Sequence, residues 1–135
     1  MKENNQTSRF SVSLSNFKLA LKALITAAQT PVTEPRDLAG IIKDFELTYE
    51  LAWKTLKKFL ELQGHETSSA KDVISQAYQL QYISDQKIWL SIIQDRNLTV
   101  HTYDEGFALE MVNRIKTQYV SEFESLFKIL SRNQT

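Results

Sequence analysis

Cysteine is absent from the 135-residue chain. That excludes a disulfide framework, thiolate metal sites and cysteine nucleophiles, and it suits a reducing compartment. Glycine occurs three times and proline twice, and both prolines, Pro31 and Pro35, fall in one short segment. So few breakers point to long helices rather than many short strands. No apolar run reaches ~18 residues, so no transmembrane span is expected. The opening residues, MKENNQTS, are polar and lack the apolar centre of a signal peptide, which makes the cytoplasm the expected location. Excess charge is missing too: 16 basic residues balance 16 acidic ones, for a net charge of +0 and a pI near 6.7. A protein that coats nucleic acid by charge alone is normally basic. DNA binding is therefore not expected, and any RNA contact should be local.

What is present is ordinary for a globular protein, 42% hydrophobic and 24% charged. The length suits one domain with one core. Residues 1–7 read as a loose polar tail and 8–131 as a single helical domain. From Phe10, the apolar residues Leu14, Phe17, Leu21, Leu24 and Ala28 follow at steps of three or four, which is one helical stripe. The segment Thr30 to Asp37 ends that helix at its prolines. A second helix runs to about Gln63, with Ile42, Phe45, Tyr49, Ala52, Leu56 and Phe59 inward and Gly64 as its stop. Leu47, Leu51 and Leu62 lie off this stripe. Either they form a dimer interface or the helix is central and touches neighbours on both sides.

Ser69-Ala70-Lys71-Asp72 reads as a capping box for a short third helix carrying Val73, Ala77 and Leu80. Ser84 is placed to cap a fourth helix, with Ile88, Trp89, Ile92 and Ile93 inward. The last helix carries Ala108, Met111, Ile115, Tyr119, Phe123, Phe127 and Leu130. The expected fold is all-α, an up-and-down antiparallel bundle of four main helices plus one short helix.

One stretch departs from this scaffold, Asp95-Arg96-Asn97-Leu98-Thr99-Val100-His101-Thr102-Tyr103-Asp104-Glu105. Arg96 lies three after Ile93, four after Ile92 and seven after Trp89, so it continues an inward stripe. A guanidinium cannot shed its proton on burial. It needs an anionic partner or a wet cleft, and Asp95, Glu46 and Glu50 are the available carboxylates. On an unbroken helix the five steps to His101 turn roughly 500°, leaving the two side chains about 140° apart. Either the helix breaks between them or they meet across a dimer axis. Thr102 and Glu105 have the spacing of a capping box, which predicts a break with Thr102 as N-cap of the last helix. His101 then precedes a helix N-terminus, where free N–H groups favour an anion such as phosphate.

These groups suffice for metal-free cleavage of an RNA phosphodiester by its own ribose hydroxyl. Histidine moves protons near neutral pH, arginine holds and stabilises phosphate, and Asn97 and Thr99 can orient either. A metal site is not expected, since the two histidines lie far apart and no HxxxH or HxxE pair occurs. His65, beside Gly64, reads as a structural hydrogen-bonder.

The spacing Arg96-Asn97-x3-His101-x-Tyr103 resembles the signature of HEPN domains, and most of all the HEPN toxins paired with a minimal nucleotidyltransferase (MNT) antitoxin. A second block, Phe45-Glu46-Leu47-Thr48-Tyr49-Glu50-Leu51-Ala52-Trp53-Lys54-Thr55-Leu56, is similar to the family called nucleotidyltransferase substrate binding protein. Asp72-Val73-Ile74, Trp89-Leu90 and the run from Asp95 to Asp104 fit it as well. The resemblance implies a helical bundle that dimerises, with the motifs of both subunits facing one cleft. It implies a cofactor-free endoribonuclease with Arg96 and His101 as catalytic pair and Asn97 in support, flanked by Asp95, Thr99 and Asp104. It also implies a nucleotidyltransferase partner that silences the toxin by attaching AMP to Tyr103. The older family name implies a different role, a non-enzymatic subunit that binds substrate or nucleotide for the nucleotidyltransferase.

Overall fold

A computed structural model describes residues 2–133, with side chains from residue 5 onward. Helix α1 (Lys2–Gln29) and helix α2 (Pro35–Leu62) form a long hairpin. Its turn holds both prolines, with Pro35 at the first position of α2, where its missing N–H is not needed. The carboxylate of Asp37 closes the turn by accepting from the N–H groups of Thr33 (2.8 Å) and Glu34 (3.0 Å). Helix α1 already exists at Lys2, so residues 2–7, expected to be a loose tail, are helical. Polar residues such as Asn5 and Gln6 do not stop a nucleated helix, and extending one needs no core face.

Helix α2 ends at Gly64, whose φ of +88° lets the chain reverse. The N–H of His65 donates to the Leu60 carbonyl at 2.9 Å and that of Gly64 to Glu61 at 3.0 Å, a Schellman closure. Short helix α3 (Ala70–Gln79) starts at Ser69, whose hydroxyl accepts from the Asp72 N–H. Helix α4 (Gln86–Asn97) is capped by Asp85 rather than Ser84; the Asp85 carboxylate accepts from the Ile88 N–H at 3.1 Å. After a 3-10 turn (Thr99–His101) comes helix α5 (Glu105–Arg114), a π turn (Ile115–Tyr119) and helix α6 (Val120–Arg132), which run on as one rod.

The architecture is therefore all-helical, four main rods plus the short α3. Thr55 of α2 meets Ser13 of α1, while Thr48 meets Ala20, so the first two helices are antiparallel. Asp95 of α4 meets Arg114 and Tyr119, while Trp89 meets Phe123, so the last rod runs antiparallel to α4. The core stripes are buried as the spacing predicts, from Phe10 through Leu24 on α1 and from Ile42 through Phe59 on α2. Phe45 is the hub: its ring lies 5.7 Å from that of Tyr119 and 6.2 Å from that of Phe123. Each fully buried side chain of this size contributes about 1.5–3 kcal/mol of transfer free energy.

The π turn has a sequence cause. Met111, Ile115, Tyr119, Phe123 and Phe127 recur every four residues, whereas an α-helix turns in 3.6, so the stripe would drift off the core. One wider turn resets the drift and keeps Ile115, Tyr119 and Phe123 fully buried. Off the α2 stripe, Leu51 and Leu62 pack half-buried against the core edge, as a central helix requires. Leu47 stays exposed.

Candidate functional site

The helix does break between Arg96 and His101. Helix α4 stops at Asn97 because the chain turns into the 3-10 segment, where the His101 N–H donates to the Leu98 carbonyl at 3.0 Å. The cap of α5 is not Thr102. Its hydroxyl instead donates back to the Thr99 carbonyl at 2.7 Å, and Asp104 takes the cap by accepting from the Phe107 N–H at 3.1 Å. A hydroxyl satisfied by the preceding turn has nothing left for the helix, and a carboxylate serves a helix N-terminus better. This also revises the anion site expected there: the Asp104 carboxylate already occupies the N-terminus of α5.

Arg96 leaves the last turn of α4 and reaches across to α2, its side chain 32% exposed. Nη1 lies 3.6 Å from Glu46, and Nε lies 3.6 Å from Glu50. These are ion pairs too long for hydrogen bonds. Nη1 donates to the Thr99 hydroxyl at 3.3 Å, and that hydroxyl donates to the Arg96 carbonyl at 2.9 Å. Nε is buried without a hydrogen-bond partner. The guanidinium is thus oriented and charge-balanced, yet holds an unused donor. A buried donor left unbonded costs about 1–3 kcal/mol, which the nearby Glu50 charge partly offsets. Tyr49 lies in the same wall of α2. Burial pushes its hydroxyl up to about 12, with the Glu50 charge adding to the shift and Arg96 opposing it.

His101 is exposed on the 3-10 turn, and its ring lies 6.3 Å from that of Tyr103, edge to face. Tyr103 is 86% exposed. Asn97 is exposed, and Thr99 is buried beneath Arg96. Within one chain, the structure brings Arg96 and Thr99 together. Arg96 and His101 share no hydrogen bond.

Asp95, expected to support the site and available in principle to pair with Arg96, faces the other way. Successive helical residues diverge by about 100°. Its buried carboxylate accepts from Arg114 Nε at 2.8 Å and Nη2 at 2.9 Å, and from the Tyr119 hydroxyl at 2.5 Å. The Asp95 bonds raise Arg114 further above its ordinary value, while burial and then the Asp95 bond push Tyr119 well up. Asp95 therefore anchors the end of α4 to the π turn.

Residues 12–132 match the family described as nucleotidyltransferase substrate binding protein like. The chain belongs to that family. It is 29% identical over 111 residues to a Haemophilus influenzae (strain Rd) protein named "Probable ribonuclease HepT", covering 78% of this chain and 76% of that one. A crystal structure from Thermus thermophilus superposes with a TM-score of 0.79 at 32% identity, covering 84% of this chain and 98% of the other. A second structure, from H. influenzae and described as the fold of a substrate binding domain of a nucleotidyltransferase, superposes at 0.70. It is 23% identical and covers 90% of this chain and 98% of that one.

For this member of the nucleotidyltransferase substrate binding protein-like family, sequence reasoning missed Arg114 and Tyr119 as partners of Asp95. They lie 19 and 24 residues away, and only the packed bundle joins them. One usable signal was the run of steps of four from Met111 to Phe127, which foretells the π turn that presents Tyr119.

Proposed function

We propose that this chain is a HEPN-type endoribonuclease, the toxin of a toxin–antitoxin pair whose antitoxin is an MNT-type nucleotidyltransferase. The observation that carries this reading is the pair presented at the helix break. Arg96 is held against α2 only by ion pairs of 3.6 Å, its side chain one-third exposed, and His101 stands exposed on the turn that follows. In the proposed reaction the His101 imidazole takes the proton of a ribose 2′-hydroxyl, and the oxygen attacks the adjacent phosphorus. The bond to the 5′-oxygen breaks, and that oxygen leaves with the proton that the His101 imidazolium gives back. Arg96 carries the charge that builds on the phosphoryl oxygens, and Asn97 supports it. Two chains meet with their motifs facing one cleft, so that Arg96 of one subunit and His101 of its partner can act on one phosphate. The exposed Leu47 is available to such a contact. The partner enzyme silences the site by transferring AMP from ATP to the Tyr103 hydroxyl, releasing pyrophosphate. Its 86% exposure suits an acceptor.

The test is cleavage of RNA by purified protein, together with growth on expression without the partner. Wild type cuts and inhibits growth; His101→Ala does neither while keeping its melting temperature. A wild type that cuts no RNA and leaves growth untouched removes this function. Sedimentation of the wild type tests the dimer.

A second reading draws support from Glu46 and Glu50. Two carboxylates already balance the Arg96 charge, which leaves less of it for a transition state, and a non-enzymatic subunit needs Arg96 and His101 only to grip a nucleotide or its nucleotidyltransferase. Calorimetry with ATP and capture of the product of the adjacent open reading frame separate the two. Tight nucleotide binding without RNA turnover favours the second.

A further inference from the structure

On α2, Glu46, Glu50, Lys54 and Lys58 recur every four residues, one turn apart. The acidic half of this row meets Arg96. The basic half faces α1 across an open groove of about 540 Å³. Arg9, Lys54 and Lys58 line the groove, and among the described residues no carboxylate does. Arg9 and Lys58 form no ion pair with any described residue. Three like charges around one cavity repel each other, and an anion in that cavity relieves the repulsion. In a chain of zero net charge this is a local excess of the kind that a strand of nucleic acid uses.

The lining is not merely ionic. Val12, 62% exposed, and Leu51 give it an apolar floor, and Asn5 and Asn16 add amide donors. A lining that holds both cations and apolar surface fits a chain that carries both phosphates and bases. The groove is also joined to Arg96. Lys54 Nζ lies 3.6 Å from one oxygen of the Glu50 carboxylate, and Arg96 Nε lies 3.6 Å from the other. Trp53 holds that carboxylate by donating its Nε1–H at 3.2 Å.

We propose that the groove between α1 and α2 binds the phosphodiester backbone of single-stranded RNA. A strand whose scissile phosphate sits at Arg96 continues past Lys54 to Lys58 and Arg9. This rests on the ribonuclease reading of Arg96 and His101, but its test does not need catalysis. Fluorescence anisotropy of a labelled single-stranded RNA of about ten nucleotides is measured on the His101→Ala protein across a salt series. Adding Arg9→Gln and Lys58→Gln is expected to weaken binding about tenfold. It should also lower the salt slope by about 1.4, since each contact to single-stranded phosphate contributes about 0.7. Arg9→Lys with Lys58→Arg, which keeps both charges, restores both values.

Unchanged affinity and slope in the glutamine variant overturn the groove and leave the proposed cleavage site standing. Groove-dependent RNA binding by a protein whose wild type cuts nothing upholds the groove and removes the ribonuclease. ATP that binds as tightly as the RNA, and is lost in the same variant, makes the groove a mononucleotide pocket and overturns the strand. A wild-type dimer that becomes monomeric in the glutamine variant makes the groove a subunit interface and overturns it equally.

Discussion

Replacing Asp95 by alanine removes the acceptor of three hydrogen bonds at once. Two come from Arg114, at 2.8 and 2.9 Å, and one from the Tyr119 hydroxyl, at 2.5 Å. The losses differ in kind. The Arg114 side chain is 32% exposed, so water takes over part of what it loses. Tyr119 is fully buried, and its hydroxyl is left stranded. A stranded buried hydroxyl costs about 1–3 kcal/mol, and each bond to a charged partner about 1.5–3 kcal/mol before water's share is returned. The sum expected for Asp95→Ala is about 4 kcal/mol, in the range for breaking a buried pair by removing one member. With 135 residues the unfolding entropy is about 0.28 kcal/mol/K, so the melting temperature falls by about 14 °C.

Tyr119→Phe deletes only the hydroxyl and leaves Asp95 paired with Arg114. It is expected to cost about 1–2 kcal/mol, or about 5 °C. In the double variant the second change is nearly free, so the coupling energy approaches the whole cost of Tyr119→Phe. Urea unfolding followed by circular dichroism measures all three proteins. An Asp95→Ala protein within about 1 kcal/mol of wild type, or strictly additive single changes, would refute the idea that this carboxylate pins α4 to the π turn.

Incubation with the cognate nucleotidyltransferase and ATP should add AMP to the intact chain by mass spectrometry, and Tyr103→Phe should abolish the addition; an unmodified wild type sinks the acceptor role. Alkali should weaken the fold: Tyr49 ionises near 10 in the unfolded chain but near 12 in the folded one, so the native state holds the extra proton and stability falls from pH 10 to 12. Tyr49→Phe should flatten that decline, as read by urea midpoints at each pH. Asp37 behaves in the opposite sense. The Thr33 and Glu34 N–H groups hold it below 3.8, so its contribution is present above that pH and fades as pH drops through the lower folded value. Asp37→Asn should lower the melting temperature at pH 7 and converge with wild type in acid.

The bundle was legible because its information is local. Steps of three and four from Phe10 to Leu24 and from Ile42 to Phe59 fix which face is buried, and Gly64 and Ser69 mark ends by their own chemistry. The end of α4 was legible as a break but not in its details. Thr102 and Glu105 have the spacing of a capping box, but the Thr102 hydroxyl is already spent on Thr99 and Asp104 takes the cap instead. Glu46 and Glu50 stood among the possible partners of Arg96 because both continue the buried edge of α2. Asp95 stood among them too, and only its neighbours across the bundle exclude it. The partners of a buried charge 19 or more residues away leave no periodic trace.

Asp95 and Arg96 are consecutive, and their opposite directions bear on how the site is held. The ion pairs of Arg96 itself, at 3.6 Å and about one-third exposed, are of a kind worth little: exposed pairs contribute about 0.2–1 kcal/mol. They cannot fix the guanidinium against a ligand that competes for it, and on the proposed ribonuclease reading this is useful, since tight carboxylate bonds would have to be broken before a phosphate could bind. The backbone that carries Arg96 is fixed instead by its neighbour, through three short bonds to a rod on the far side of the core. Rigidity comes from one residue and availability from the next. If the proposed ribonuclease reading holds, conservative loss of the anchor, Asp95→Asn, should therefore reduce RNA turnover along with stability, although Asp95 faces away from Arg96. Glu50→Gln should leave the fold nearly unchanged and tighten RNA binding by removing a charge that phosphate must displace.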